Sequence, residues 1–235
     1  MSGTLLIEGL QAFYGASHVL HDLSLTVSPG EVVLLLGRNG AGKTTTMRSV
    51  MGLVQTRGNI QYQGQALGGL PPHRIARLGI GLVPEDRRMF AHLSVRENLT
   101  LGRKLGVDGQ TSWDMERILT LVPALAPLLE RRAGVLSGGQ QQMLAIARTL
   151  MGNVNLLLLD EPAEGLAPVI VDALAEQLAV LRAEGLSMLL SEQNITFARR
   201  LADRVYVMES GAIRYQGSMT ELDANPNAWA HYVAF

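Results

Sequence analysis

The run Glu31–Thr44, EVVLLLGRNGAGKT, decides the fold. Its first half, VVLLL, is a continuous apolar run of strand length, suited to a strand buried on both faces of a sheet. Its second half fits Gly-x-x-x-x-Gly-Lys-Thr over Gly37–Thr44. A buried strand precedes it and a helix fits Lys43–Met51 after it, which is the strand–loop–helix setting of a phosphate-binding loop. Glycines let the backbone turn tightly, so that successive N–H groups and a helix N-terminus point at phosphates. The pattern assigns Gly37, Arg38, Asn39, Gly40, Ala41 and Gly42 to the cradle. Lys43 then reaches the β- and γ-phosphates as a point charge, and Thr44 offers its hydroxyl to Mg²⁺. A flexible glycine turn is the bland alternative, but the spelling arises by chance in roughly one chain per hundred of this length.

The stretch Asn155–Pro168, NLLLLDEPAEGLAP, is explained by that loop. Four leucines run straight into two adjacent carboxylates, which repel each other and lose hydration if the strand end is covered. Asp160 suits a metal beside the phosphates, directly or through water. Glu161 is then left to orient the attacking water or accept its proton. Without the glycine loop, a solvated strand end would be the ordinary reading of Asp-Glu-Pro.

The bulk composition sets the frame. The chain has 235 residues, 47% hydrophobic, a net charge of −1 and no cysteine. That is ample for one domain with a subdomain, gives no electrostatic case for nucleic acid, and excludes disulfides and thiolate metal sites. The N-terminal MSGTLLIEGL is too short and uncharged to read as a signal peptide, and no apolar run approaches the ~20 residues needed to cross a bilayer. Any membrane role must therefore come through a partner.

Working outward, LLIEGL and LHDLSLTV read as short strands, followed by the turn Ser28-Pro29-Gly30. NIQYQG and IGLVP read as two more. Residues 90 to about 152 change character, with helix signals and no convincing strand. Ser94 and Glu97 form a capping-box pattern, WDMERILTLV fits a helix, and a third helix begins after Ser137 with Met143, Ile146, Ala147, Leu150 and Met151 on one face. Strands and helices then alternate again. NLLLLD is a strand, and a helix starts at Pro168 with Ile170, Ala173, Leu174, Leu178 and Leu181 on its apolar face. SMLLS is a strand, ITFARRLAD a helix, and RVYVMES with GAIRYQG a hairpin. The fold class predicted is α/β: a mostly parallel sheet, an N-terminal antiparallel β subdomain and an inserted helical subdomain, all within one domain spanning 1–235. The C-terminal NPNAWAHYVAF reads as a short packing helix.

LSGGQ, residues 136–140, is a second glycine-rich helix start, with Ser137 as cap and exposed backbone N–H groups. With Gly37–Thr44 and LLLLDEP it makes the sequence resemble the ATP-binding subunits of ABC transporters, over essentially residues 4 to 217. The resemblance implies a P-loop NTPase core binding ATP and Mg²⁺, with Glu161 as catalytic base and Thr45 near the α-phosphate. Tyr14 matches the position that stacks on adenine. Ser137, Gly138, Gly139 and Gln140 would contact the ATP held by a second subunit, self or paralogue, in a head-to-tail dimer. Three positions depart from the commoner pattern. Glu85 stands for a glutamine, where it can still bind water or Mg²⁺. Gln193 replaces a histidine near the γ-phosphate and cannot take a proton near neutral pH. Ala167 replaces an aspartate of the interface segment.

Taken together, VPEDRRMF, DEPAEGLAP and SEQN are similar to the ATP-binding subunits of branched-chain amino acid importers, with urea and short-chain amide importers nearly the same. That subgroup implies two integral membrane permease subunits, an extracytoplasmic solute-binding protein, and a place at the cytoplasmic face of the membrane. Arg87 and Arg88 are candidates to touch the membrane partner, or else form an exposed charged loop. The rivals are a soluble ABC ATPase acting on DNA or ribosomes, for which no coiled-coil insertion, second P-loop or basic surface speaks, and a regulatory module that binds ATP without hydrolysing it.

Overall fold

The computed structural model describes residues 5–104 and 113–224. Two antiparallel strands, β1 (Leu5–Tyr14) and β2 (Ser17–Val27), lead into β3 (Val32–Gly37), and α1 (Lys43–Val50) follows the glycine loop. Next come β4 (Gln55–Tyr62), β5 (Gln65–Ala66), α2 (Pro72–Arg77) and β6 (Ile80–Val83). The helices α3 (Val95–Gly102), α4 (Met115–Leu121) and α5 (Gly138–Leu150) then intervene before β7 (Leu156–Asp160). The remainder is α6 (Pro168–Ala183), β8 (Ser187–Glu192), α7 (Ile195–Ala198), β9 (Arg204–Glu209), β10 (Ala212–Ser218) and α8 (Met219–Ala224).

The strands form two sheets. One is antiparallel in the order β2-β1-β4-β5; the other runs β10-β9-β3-β8-β7-β6 and is parallel except for the β9–β10 hairpin. The period of two along the apolar strands explains how both faces of the second sheet are covered. Val32, Leu34 and Leu36 join Leu157, Leu159, Met188 and Leu190 in the core shared with α5 and α6. Val33 and Leu35 join Leu156, Leu158 and Leu189 in the core shared with α1 and the antiparallel sheet. The α/β class, the antiparallel N-terminal sheet and the helical insertion are as the sequence predicts.

The insertion is held by local signals. Ser94 and Ser137 each form a complete capping box, with Glu97 and Gln140 respectively. Asp114 caps α4 by accepting from the Arg117 N–H, so the helix expected from Trp113 starts later. Trp113 instead packs into the core and donates from Nε1 to the Val154 carbonyl at 3.0 Å. The helix expected over Ile195–Asp203 is also shorter. After Ala198 tighter bonds (Arg200 N–H to Phe197 O, Leu201 N–H to Ala198 O) mix with the wider Ala202 N–H to Ala198 O, and the Asp203 N–H is drawn to Val32 O on β3. Among the described residues two α-helices come without expectation, α2 and α8. The latter is opened by a reciprocal Ser218–Glu221 pair of the kind found at Ser94. The helix expected over NPNAWAHYVAF lies outside the described residues.

Leu158 is fully buried mid-strand, whereas Leu53 is 52% exposed. Leu158→Ala is expected to lower the melting temperature by about 5–15 °C, the effect of a ~2–5 kcal/mol cavity in a domain of this size. Leu53→Ala should move it by no more than ~2 °C, so equal effects in thermal melts would contradict the two-faced core.

Candidate functional site

Sheet order builds the site. β3 and β7 lie either side of β8, so the loops leaving their C-terminal ends converge over the end of β8, where ligands of parallel α/β sheets bind. The glycine loop has no slack. Gly42, the N-cap of α1, has φ +107°, and an added Cβ would stand 2.7 Å from Leu20 Cδ2; at Gly37 it would stand 2.6 Å from the Met208 carbonyl oxygen. Folded this way, the loop turns Lys43 inward, 3% exposed. Its ammonium donates to the carbonyls of Gly37 (2.7 Å) and Arg38 (3.1 Å) and pairs with Glu161 Oε1 at 2.9 Å. Three donors meet three acceptors, which a buried ammonium requires.

The two carboxylates of Asp-Glu-Pro separate at once. Asp160 Oδ1 accepts from Thr44 Oγ1 at 3.0 Å and from Ser191 Oγ at 2.7 Å. Glu161 turns the other way because its backbone adopts φ +44°, which only surrounding structure makes tolerable for a non-glycine residue. That conformation is held by the Glu161 N–H donating to the Ser191 carbonyl and hydroxyl, both at 3.1 Å. Gln193 Nε2 donates to Glu161 Oε2 and to Asn39 Oδ1, both at 2.8 Å. Burial pushes the Glu161 carboxyl up, but the hydrogen bonds from Gln193 and Lys43, with the Lys43 charge, outweigh it and hold the group below its usual range.

Above these groups opens a cavity of about 440 Å³ lined by Tyr14, Asn39, Gly40, Lys43, Glu85 and Glu161, with Gly42, Thr44 and Thr45 on its floor. Gly37 and Arg38 contribute carbonyls to Lys43, and Ala41 is buried beneath. Tyr14 is 43% exposed at the rim. Ser137, Gly138, Gly139 and Gln140 do not line this cavity; they stand at the N-terminus of α5 on the helical insertion. Ala167 is the N-cap of α6 and makes no side-chain cap. Arg87 is not an exposed loop charge: its guanidinium turns inward to Gln142 Oε1 at 3.1 Å. Arg88 is exposed and paired with Asp86 at 2.9 Å.

Residues 20–164 match the family described as ABC transporter. The chain belongs to that family. Among curated relatives, it is 44% identical to the high-affinity branched-chain amino acid transport ATP-binding protein BraG of Pseudomonas aeruginosa, over 97% of this chain and 99% of BraG. It is 35% identical to the lipopolysaccharide export system ATP-binding protein LptB of Escherichia coli, over 93% of this chain and 92% of LptB. A nucleotide-free ATP-binding cassette from an ABC transporter superposes with a TM-score of 0.85 at 26% identity, covering 99% of this chain and 98% of that one. The ADP conformation of MJ1267, an ATP-binding cassette of an ABC transporter, gives 0.83 at 26% identity and full coverage of both. The enzymatic class is that of the family, an ATPase, and nucleotide is its ligand. Among the described residues, no helix of this ABC ATPase is long and apolar enough to cross a membrane.

Two site residues of this ABC chain escape a sequence reading. Ser191 serves both carboxylate-bearing positions, yet a serine in a buried strand reads as packing. Glu192, 3% exposed, accepts from the backbone N–H groups of Ala163 (3.1 Å), Gln193 (3.3 Å) and Asn194 (3.4 Å), and so ties the Glu161 loop to the Gln193 loop. The motif SEQN contains both, but only Gln193 draws attention there. Among the described residues no three His, Cys, Asp or Glu side chains cluster as metal ligands. The donors on hand are a hydroxyl and a carboxylate in contact, with Glu85 facing the same cavity. This oxygen set fits Mg²⁺, which takes one or two carboxylates and draws its other ligands from phosphate and water.

Burial raises the Glu192 carboxyl from 4.5 to about 7 despite its three amide donors. Between those two values the folded state binds more protons than the unfolded one, so stability present below pH ~4.5 is lost as pH rises through ~7. Glu192→Gln removes this dependence. The variant's melting temperature minus that of the unmodified chain should rise between pH 5 and 8 by several degrees, on top of any constant offset; a pH-independent difference would refute the assignment.

Proposed function

We propose that this chain is the ATP-hydrolysing subunit that powers an importer of branched-chain amino acids. The observation that carries the catalytic half is the buried Lys43–Glu161 pair at 2.9 Å beside the Thr44–Asp160 contact at 3.0 Å, under a glycine cradle. The solute rests on the 44% identity to BraG along nearly the whole length of both chains. The 35% identity to an export ATPase fits a shared engine whose cargo and direction are set by membrane subunits.

ATP enters the cavity with its adenine against Tyr14 and its phosphates over the N–H groups of Gly40–Thr45. The phosphate oxygens compete with Glu161 for the Lys43 ammonium, so binding frees the glutamate. Thr44 and Asp160, with Glu85 nearby, would hold Mg²⁺, which neutralises charge on the phosphates. Glu161, still held by the Gln193 amide, then accepts a hydrogen bond from water. As the water oxygen bonds to the γ-phosphorus and the bond to the β–γ bridging oxygen breaks, Glu161 takes the water's proton and ADP leaves with the bond's electrons. Gln193 cannot accept a proton; through Asn39 and Glu161 it orients the base against the loop.

Residues 1–235 act as one ABC unit, with 90–152 as its helical arm. The position of Ser137–Gln140 away from this chain's own cavity supports a head-to-tail dimer, in which that segment meets nucleotide held by a second ATP-binding subunit. Two permease subunits and an extracytoplasmic binding protein complete the importer, which places the chain at the cytoplasmic face of the membrane.

Glu161→Gln should cut ATP turnover by at least ~10²-fold and Lys43→Ala should abolish tight nucleotide binding; near-normal turnover or unchanged affinity would overturn these roles. A pull-down of tagged Glu161→Gln with ATP from solubilised membranes should retain polytopic membrane subunits. Cells carrying Lys43→Ala should lose leucine uptake while keeping urea uptake. The reverse uptake pattern would move the assignment to the urea and amide importers, and only soluble partners would refute a transport role.

A further inference from the structure

The turn between β6 and α3 carries two adjacent arginines that nucleotide chemistry leaves without a role. Their backbones adopt φ +58° at Arg87 and +42° at Arg88, a region non-glycine residues rarely enter. The turn closes with the Arg87 N–H donating to Pro84 O at 2.9 Å, and this rolls the Arg87 side chain back onto the protein. Its guanidinium then meets two other segments. Nε donates to Gln142 Oε1 at 3.1 Å, one turn into α5 beyond the LSGGQ signature segment (Leu136–Gln140), and Nη2 donates to the Glu164 carbonyl at 3.4 Å. Nη1 lies against Gly138, where an added Cβ would stand 3.2 Å away.

Each contact leads to the site. Glu164 follows Glu161 by one tight turn, its N–H donating to Glu161 O at 3.1 Å. Glu85, two residues before Arg87, faces the nucleotide cavity. Gln142 is 2% exposed, and its Nε2 has no hydrogen-bond partner among the described residues, so the Arg87 contact is what fixes its amide. One planar fork thus spans the loop of Glu85, the loop of Glu161 and the head of α5. A lysine, with a single compact charge, cannot span all three.

We infer that Arg87 is a positioning residue that locks the signature helix α5 to the loop carrying Glu161, so that a base from one subunit and a signature segment for the other move as one body. The inference rests on the ATP-hydrolysis reading above. Arg87 touches neither the glycine cradle nor Lys43, so its loss acts on turnover and leaves ATP binding in place.

The test is steady-state ATPase and ATP binding by the complex that the tagged full chain retains from solubilised membranes, with this chain carrying Arg87→Met, Gln142→Met, both, or Arg87→Lys. Arg87→Met and Gln142→Met should each lower kcat about tenfold while the Kd for ATP stays within about twofold. The double variant should be no worse than the weaker single one, because both remove one interaction, and Arg87→Lys should recover only part of the loss. Cooperative melting establishes that each variant folds; should Arg87→Met fail to fold, Arg87→Lys carries the same comparison. Unchanged kcat, losses that multiply in the double variant, or lost ATP affinity would overturn the inference. An unmodified complex that binds ATP without turning it over would instead sink the hydrolysis reading itself, and this inference with it.

Discussion

A lysine ammonium buried at the end of a parallel sheet needs three acceptors and a counter-charge, and the arrangement around Lys43 follows from meeting that need. Two acceptors are carbonyls of its own loop, which forces the tight path through Gly37 and Gly42. The third is Glu161, which reaches it only from the strained backbone held by Ser191. With β8 between β3 and β7, side chains at the end of β8 brace the loops on either side: Ser191 and Glu192 hold the segment of Asp160–Ala163, and Gln193 ties Glu161 to Asn39. Buried pairs of this kind contribute little net stability once desolvation is counted, whereas removing one partner strands the other. Such a pair is a natural place for phosphate to intervene.

The acidic edge of the site is divided by environment. Glu161 is held low by Lys43 and Gln193, Glu192 is pushed up by burial, and Glu164 is pushed up, chiefly by the hydrogen bond it shares with Glu161. Glu161 acts on both of the other carboxylates, so all three could not be ionised cheaply, and their spread of affinities for protons resolves the conflict. The carboxylate proposed as base is the one held low, and Glu192, which braces the loops, is pushed up to about 7.

Much of this was legible in the sequence because the signals are local. VVLLL and LLLL suit doubly covered strands, the glycine spacing specifies a cradle, and Ser-x-x-Glu or Ser-x-x-Gln at 94 and 137 marks two helix starts. The same spelling at Ser218–Glu221 opens α8, where no apolar periodicity follows to reveal a helix, while α7 stops early because Asp203 is taken by β3. What a sequence hides is direction. Two arginines in a turn read as solvated charge or as contacts for a membrane partner; both have positive φ, and only the acceptors on Gln142 and Glu164 distinguish the one that turns inward. Ser191 and Glu192 look like strand filler and a strand end, and acquire roles only when β8 is placed between β3 and β7.

If phosphate must displace Glu161 from Lys43, the free chain spends most of its time in a state that competes with its own ligand, and apparent affinity is reduced by the fraction competent to bind. Titration calorimetry of a non-hydrolysable ATP analogue against the unmodified chain and Glu161→Gln tests this most directly. The variant, with no charge to hold Lys43, should bind at least about fivefold more tightly. Equal or weaker binding would mean that the ion pair does not stand in the way of nucleotide, and the account of how binding frees the base would be wrong.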